Sequence, residues 1–279
     1  MNSFYFEIIN FITSIATETT SGEVLGFCFI RGKNECFIPV GSESYRSMTP
    51  CKATQIREQL FPCKVHFIYE DLWKGKNLII KGRIIAALGQ GRKIFARNCA
   101  CRKIEAPKAK AFLEKNHIYG STKADTYMGL FRRVKTSASE TQMDVTPELV
   151  AVASFSKGSV KDESCITYNF ERYASLAGTN VIGAMGKITE GFIRLCKIAP
   201  PFNILTYSDR EWSEGDSYDA IGFTREGSVP GILFFIDSSS GRRIHAEKIG
   251  RDKALKGLHI EEENTFFNIG SNIHIKRYR

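Results

Sequence analysis

The alternation of apolar and polar positions predicts a series of short helices and strands in the first ninety residues. Apolar positions on one broad face predict a helix over residues 1–20. Two β-rich runs within residues 24–41 flank a polar turn at residues 31–34, so this stretch is predicted to be a hairpin. A short helix over residues 51–60 and a buried strand over residues 64–69 follow.

A third apolar pattern, over residues 74–89, predicts a helix that ends at Gly89. We therefore place a domain boundary near residues 88–93, which divides the chain into domains 1–90 and 91–279. The second domain is predicted to alternate strands with helices. Its predicted elements are strand 93–104, helix 106–116, strands 126–132, 148–155 and 165–171, a glycine turn and helix over 180–197, strand 203–209, a short helix within 214–223 and strand 231–237.

The composition is that of a globular protein with room for two domains. The chain has 279 residues, of which 43% are hydrophobic and 25% are charged. No apolar run reaches the roughly 18 residues that a membrane span needs, and the N-terminus lacks the features of a signal peptide. We expect a cytoplasmic protein with no membrane partner. The eight cysteines form no C-x-x-C pair, so we expect free thiols and no metal site.

Positive charge is concentrated in two parts of the chain. The net charge is +9, and residues 74–110 contain eleven basic side chains but only one acidic residue, Glu105. Clustered Lys and Arg favour a polyanion, because binding releases counterions from phosphate. We therefore expect DNA or another nucleic acid as partner; a solvated enzyme surface or an acidic cofactor is the alternative. The C-terminal region adds Arg242, Arg243, Lys248, Arg251, Lys253, Lys256, Lys276, Arg277 and Arg279.

The predicted order of elements in the second domain resembles the GNAT acetyltransferase fold. In that fold a strand leads through a glycine turn into a helix, whose unpaired N–H groups hold the pyrophosphate of acyl-coenzyme A. The stretch 180–187 occupies that place here, and the resemblance implies acyl-coenzyme A as cofactor. A plain helix cap explains the same glycines equally well. The implied cofactor-binding residues are Gly183, Ala184, Gly186 and Lys187.

Longer matching strings resemble phage homing-endonuclease proteins of the Hef-like type. These proteins join a Vsr-like nuclease half to a C-terminal module. The resemblance implies an α/β (α+β) fold, with a GNAT-like mixed sheet flanked by helices after a smaller Vsr-like α/β domain. The matching strings are residues 68–73, 81–84, 94–99, 112–120, 153–157, 170–173, 181–184, 207–215 and 267–272.

The first domain departs from a working nuclease of that type. Such a nuclease places acidic residues on its first two core strands to hold a divalent metal. The matching place on the first strand is Leu25-Gly26-Phe27, and the second strand, residues 35–41, has no acid at the matching position. We expect a degenerate nuclease domain that serves as a DNA-binding or structural platform.

A more distant resemblance, to Mom-type DNA-modifying proteins of acetyltransferase-like fold, implies a catalytic set. Asp209, Gly215 and Tyr218 resemble one pattern of that type, and His117 with Tyr119 resembles another. The implied catalytic residues are Asp209, His117, Tyr119 and Tyr218. Asp209 is equally well explained as a helix N-cap, and His117 as a cap of helix carbonyls.

Several other side chains are candidates for contact with nucleic acid. Lys157 and Arg172 come from adjacent strands, although Arg172 could instead pair with an interior acid. Arg210 and Trp212 place a cation beside an aromatic ring, which suits an extruded base but also suits ordinary packing. Two further candidates from the basic stretch are Lys93 and Arg97.

These observations support a GNAT-fold transferase of phage or mobile-element origin that acts on nucleic acid. The most concrete version is a DNA base modifier of the Mom type. One alternative is a homing endonuclease that cleaves or nicks DNA. A second alternative is a DNA-binding protein without catalysis.

Overall fold

The computed structural model describes residues 3–135, 145–158, 165–237, 239–249 and 265–279. Part of the predicted loop 134–146, and Arg251, Lys253 and Lys256 of the basic tail, lie outside these residues. The chain forms two compact units, each built from separate stretches. Unit 1 contains Met1–Gln90, Ser208–Asp216 and Glu226–Ile273, and unit 2 contains Gly91–Tyr207, Ser217–Arg225 and His274–Arg279.

The helices follow the amphipathic patterns of the sequence. In the first helix Phe4, Ile8 and Ile12 are buried at the four-residue spacing that places side chains on one face. The helices are α1 (Ser3–Ile15), α2 (Pro50–Gln59), α3 (Glu70–Gly75), α4 (Asn77–Ala87), α5 (Ala106–Asn116), α6 (Ala184–Cys196), α7 (Asp216–Asp219) and α8 (Ala246–Ile249), with 3₁₀ turns at Ser42–Ser44 and Ala96–Asn98.

The strands belong to several sheets and occupy much of the second half of the chain. They are β1 (Thr20–Val24), β2 (Phe27–Gly32), β3 (Glu35–Val40), β4 (Lys64–Tyr69), β5 (Arg92–Phe95), β6 (Cys99–Lys103), β7 (Thr126–Lys135), β8 (Val145–Lys157), β9 (Ile166–Ser175), β10 (Thr179–Ile182), β11 (Phe202–Asp209), β12 (Thr224–Val229), β13 (Leu233–Ile236), β14 (Arg243–His245), β15 (Thr265–Phe267) and β16 (Ser271–Tyr278).

Unit 1 contains a four-stranded sheet in the order β1-β2-β3-β4. The predicted hairpin is confirmed: β2 and β3 pair antiparallel around a turn in which Lys33 adopts a φ of 55°. Strand β4 lies parallel to β3 and is reached through α2, whose N-cap Thr49 accepts a hydrogen bond from the Lys52 amide. Helix α4 ends where predicted, because Gly89 has a φ of 71° and its amide donates to Ala86.

A second sheet of unit 1, in the order β14-β13-β15, carries the buried Arg243. The Arg243 guanidinium donates to Asp71 at 2.6 and 2.9 Å and to Glu211 at 3.1 Å. It also lies 4.8 Å from the centroid of the Tyr69 ring and 5.1 Å from that of Phe266. Burial raises the pKa of the Glu211 carboxyl to about 8, although the charge of Arg243 lowers it. The cluster joins segments that are distant in sequence within this unit.

Unit 2 is built on a mixed seven-stranded sheet with helices on both faces. Its order is β12-β16-β11-β9-β8-β7-β6, and β11 is parallel to β9 whereas β6 to β9 are antiparallel. Val152 packs in a cluster with α5, whereas Ala151 and Ala153 pack in a cluster with α6. Adjacent strand residues face opposite sides, so α5 and α6 cover opposite faces of the sheet. The predicted α/β class, with a mixed sheet flanked by helices, is confirmed.

One feature of the fold differs from the sequence predictions. The predicted strand 93–104 is interrupted by the 3₁₀ turn Ala96–Asn98, so that β5 pairs with β10 and β6 pairs with β7. Residues 208–216 and 226–273 belong to unit 1, because β13 and β15 pack Phe234 and Phe266 into its core.

None of the helices in the described ranges is long and apolar enough to cross a membrane.

Candidate functional site

The centre of the unit 2 sheet opens between two parallel strands. Strands β9 and β11 pair over only four positions, from Ile166 opposite Phe202 to Asn169 opposite Leu205. Beyond them β9 continues to Ser175 beside β8. At the first position past the paired region, the Thr206 hydroxyl donates to the Phe170 carbonyl oxygen at 3.0 Å. A side chain thus replaces the backbone ladder where the two strands part.

Tyr218 lies at this opening. Its phenol oxygen is 3.4 Å from Thr206 Oγ1, and its ring packs edge-on against Phe170 at 6.2 Å between centroids. Burial raises the pKa of Tyr218 above its ordinary value, while the hydrogen bond with Thr206 and the charge of Arg172 lower it. Tyr218 is therefore a protonated hydroxyl at neutral pH, suited to donating a hydrogen bond or a proton.

A β-bulge lies beside the same opening. Phe155 pairs with Phe170 but Ser154 pairs with Arg172, which leaves Glu171 as an extra residue in β9. The Ser154 hydroxyl is fully buried, and neither it nor the buried Arg172 Nε has a hydrogen-bond partner within the described parts of the chain. Unpaired buried polar atoms are uncommon in proteins and are typical of sites that receive a ligand. Of the two, Arg172 lies close enough to Tyr218 for its charge to lower the pKa of that phenol, whereas Ser154 lies between Ala153 and Phe155 of the α6 cluster and therefore faces the α5 side of the sheet.

The predicted glycine turn leads from β10 into α6. Gly183 has a φ of 77°, in the left-handed region, and it is exposed directly before the helix. Ala184 and Gly186 lie in the first helical turn, whose N–H groups have no acceptor within the helix. This geometry suits an anion such as a pyrophosphate, because the backbone donors and the helix dipole act together.

Lys187 follows this turn, and its amine contacts the backbone. Its Nζ donates to the carbonyl oxygens of Ala96 at 2.8 Å and Arg97 at 3.3 Å. Those carbonyls belong to the 3₁₀ turn between β5 and β6. Lys187 therefore stabilises that turn in this structure, and the backbone of the helix start is left to contact an anion.

His117 and Tyr119 lie together just after α5. The His117 amide caps the helix by donating to the Leu113 carbonyl, and the Tyr119 amide donates to His117 Nδ1 at 3.2 Å. Helix α5 packs on the face of the sheet opposite α6, whereas Tyr218 packs with the α6 cluster. The structure thus separates the predicted catalytic pair His117 and Tyr119 from Tyr218 by the sheet, and the capping interpretation of His117 describes its local geometry.

Asp209, the fourth predicted catalytic residue, belongs to unit 1. Its carboxylate accepts a hydrogen bond from the Glu211 amide at 2.9 Å, and its carbonyl accepts bonds from the Trp212 and Ser213 amides. Asp209 therefore caps the turn that follows β11; residues 210–212 form a turn and the next helix begins at Asp216. A catalytic role for Asp209 stays a prediction.

Arg210 and Trp212 are held by neighbours in unit 1. Arg210 donates to Thr54 Oγ1 at 3.1 Å and to Glu214 at 3.4 Å. The centroid of the Trp212 ring lies 4.3 Å from the centroid of the His66 ring. The guanidinium carbon of Arg83 lies 5.2 Å from the Trp212 centroid. These contacts favour packing over an exposed platform for a base.

The remaining predicted contacts to nucleic acid lie in unit 2. Lys157 pairs with Tyr168, four residues before Arg172 on β9, so the two cations are separated by on the order of 10 Å along the strand. They are not placed to hold one phosphate together. Lys93 and Arg97 are exposed on and after β5.

The described residues contain no group of three or more His, Cys, Asp or Glu side chains arranged to hold a metal ion. Glu35, one of the carboxylates near the expected nuclease strands, is bonded to His66 Nε2 at 2.5 Å. The strand that carries it, β3, otherwise presents buried side chains that include Phe37 and Ile38. The chemistry of this donor set does not match the pair of acids that the nuclease resemblance implies.

Two residues of the site were missed by sequence reasoning. Thr206 lies within an apolar strand pattern, and a hydroxyl in such a strand carries no sequence signal of its own. His274 is fully buried on β16, with its ring 5.2 Å from Tyr218 and its Nδ1 3.5 Å from Asp219. It shows no metal-ligand spacing in the sequence, so the sequence alone indicates a structural or exposed side chain.

Comparisons with known proteins give little beyond this geometry. No family model matches the chain, and no curated protein sequence matches it. Among solved structures, Arabidopsis thaliana Naa50 in complex with the bisubstrate analogue CoA-Ac-MVNAL matches with a TM-score of 0.36 and 8% sequence identity. The match covers 65% of this chain and 99% of that chain. The function of this chain therefore has to be inferred from its own contacts.

Proposed function

We propose that this protein is an acyltransferase of GNAT-like fold that acts on nucleic acid, with its site where β9 and β11 part. The observation that carries the proposal is the point in the unit 2 sheet where β9 and β11 part, with Thr206 and Tyr218 at it and the unpaired Arg172 Nε close by. The proposed donor is acyl-coenzyme A, and the most specific version is a DNA base modifier of the Mom type in a host-cell cytoplasm.

The donor would be held by the start of α6. The amides of Ala184 to Gly186 offer unpaired donors to a pyrophosphate, and the left-handed Gly183 lets the backbone approach closely. When bound, acyl-coenzyme A supplies an acyl group that is already activated as a thioester. This part of the proposal requires no metal.

Tyr218 is proposed as the acid of the reaction. Burial raises the pKa of its phenol, so it carries a proton at neutral pH and can hand it to a leaving thiolate. Arg172 lies close enough to lower that pKa, and it would stabilise the phenolate that remains after the transfer. The acceptor amine would lose its proton to solvent.

The test measures nucleosides and donor binding with the full chain. Host DNA would be digested after expression of the wild type, Tyr218→Phe and Asp209→Ala, and the nucleosides analysed by mass spectrometry. We expect an acyl mass shift with the wild type, reduced by roughly 100-fold or more in Tyr218→Phe. Because the phenol makes one long hydrogen bond, Tyr218→Phe should alter the free energy of unfolding by about 1 kcal/mol or less.

Calorimetric titration with acetyl-coenzyme A tests the donor separately. Binding should survive Tyr218→Phe and weaken when Gly183 is replaced by Val, which cannot readily adopt a left-handed conformation. Gly178→Val is the matched control, since Gly178 is another left-handed glycine of unit 2, at a φ of 71°, where an added Cβ would meet nothing within 4 Å. No donor binding, or a mass shift unaffected by Tyr218→Phe, would overturn the proposal.

A further inference from the structure

We propose that the outer surface of the small parallel sheet β5-β10 binds one unpaired strand of nucleic acid. This β5–β10 face consists of Lys93, Phe95, Arg97 and Ile182. In this proposal a base stacks on the Phe95–Arg97 pair and the two cations contact the flanking phosphates. It rests on the proposed function in that it names how the nucleic-acid substrate is held.

The face is formed by strict alternation along the chain. Ile94 and Ala96 are buried in the core of unit 2, so Lys93, Phe95 and Arg97 turn outwards. Phe95 and Ile182 are each 42% exposed, and they lie opposite each other in the parallel register. Two large apolar side chains thus form one exposed patch.

The two cations of this face, Lys93 and Arg97, are available to contact phosphate, whereas the neighbouring Arg92 is in an ion pair. Arg92, one residue before, is bonded to Glu148 at 2.6 Å. No carboxylate in the described ranges lies within ion-pairing distance of Lys93 or Arg97. The nearest acid in the sequence is Glu105, so the local field attracts a polyanion.

Together with Phe95, Arg97 also forms a flat surface on which a base can stack. Its guanidinium carbon lies 5.0 Å from the centroid of the Phe95 ring. Nucleic-acid-binding proteins stack unpaired bases both on aromatic rings and on guanidinium planes. A duplex hides its base faces inside the stack, so an exposed Phe95 and Ile182 favour a single strand. The chemistry of the face therefore combines stacking with phosphate contact, the two features of single-strand binding.

The experiment uses the full chain and a fluorescein-labelled oligothymidylate of about 15 nucleotides, close to the largest site of one single-strand-binding domain. Anisotropy would be followed over a salt titration for the wild type, Phe95→Ala, and Lys93→Gln with Arg97→Gln. We expect Phe95→Ala to weaken binding by about fivefold to 100-fold, the usual loss for one stacked base. The double variant should also flatten the plot of log affinity against log salt by about 1.4, since each single-strand phosphate contact contributes about 0.7.

Matched controls come from the same unit. Lys115→Gln with Lys123→Gln removes two exposed cations elsewhere in unit 2 and should leave binding within about twofold. Thermal unfolding of every variant should match the wild type, because the altered side chains are exposed. A duplex of the same length should bind more weakly than the single strand.

Several results would overturn the inference. They are unchanged binding in Phe95→Ala, equal loss in the Lys115 and Lys123 control, tighter binding of the duplex, or displacement of the oligonucleotide by coenzyme A at a one-to-one ratio. Failure of the proposed function is seen separately. Oligonucleotide binding that depends on Phe95, without acetyl-coenzyme A binding or a nucleoside mass shift, would keep this inference and remove the transferase.

Discussion

The two units each bury charged or polar groups, but they differ in whether those groups have hydrogen-bond partners. In unit 1 the Arg243 guanidinium is bonded to Asp71 and Glu211 and lies on aromatic rings. In unit 2 the Ser154 hydroxyl on β8 and Arg172 Nε on β9 are buried with no described hydrogen-bond partner, as are Glu148 Oε2 and the Tyr278 hydroxyl. Among the described residues of unit 1, the Tyr69 hydroxyl next to Arg243 is in the same state.

This difference separates a cluster that holds the fold from one that is suited to a ligand. A buried ion pair is costly to break, because removing one partner leaves a desolvated charge behind. Unpaired buried donors and acceptors cost stability in the folded protein, and a ligand that bonds to them recovers that cost. The Arg243 cluster therefore stabilises the fold of unit 1, whereas the opening near Tyr218 is suited to a ligand.

The largest expected effect is the loss of Arg243. Arg243→Ala should lower the free energy of unfolding of unit 1 by about 3–5 kcal/mol, because Asp71 stays buried without its cation and Glu211 loses a hydrogen-bond donor. Both tryptophans of the chain, Trp73 and Trp212, lie in unit 1, so tryptophan fluorescence in urea reports this unit. Arg242→Ala, at the exposed neighbouring position, should stay within about 0.5 kcal/mol. Equal effects of the two variants would contradict a structural role for the cluster.

A pH-dependent effect should come from Glu211. Its pKa is about 8 in the folded protein and about 4.3 when unfolded, so between these values only the folded state keeps the proton. This contribution to stability is complete below about pH 4.3 and is lost as pH rises to about 8, by up to about 1.4 kcal/mol per pH unit. Glu211→Gln should remove that slope in tryptophan-monitored urea unfolding.

Glu58→Gln is the control for this titration, because Glu58 is an exposed carboxylate of the same unit. It should keep the wild-type slope. A slope that persists unchanged in Glu211→Gln would show that another group titrates in this window.

The smallest expected effect is a gain in the stability of unit 2. Ser154→Ala removes a buried hydroxyl without a described partner, so unit 2 should become more stable by roughly 1 kcal/mol, as measured by hydrogen exchange of β8 and β9. Ser156→Ala, two residues along the strand and only half-buried, should leave that stability unchanged. A clear loss of stability in Ser154→Ala would place this hydroxyl in a structural network and weaken the comparison.

Local patterns predicted much of the architecture but little of the site. The hairpin turn near Lys33, the end of α4 at Gly89 and the turn at Gly183 were all predictable, because each depends on backbone conformations that few residues favour. The interruption of strand 93–104 was not predictable, since Ala96 continues the alternating pattern across the 3₁₀ turn. Among site residues, Tyr218 was named from resemblance, whereas Thr206 and His274 were not.

The sequence by itself determined the α/β class, the basic character of residues 74–110 and the glycine turn before α6. These are local properties, fixed by side-chain periodicity, charge and the conformations that glycine allows. Only the tertiary structure decided that β9 and β11 part after four pairs, that Lys187 bonds to backbone carbonyls, and that the sheet separates His117 from Tyr218. Such relations join residues tens of positions apart, and they depend on strand register and packing, which no local pattern encodes.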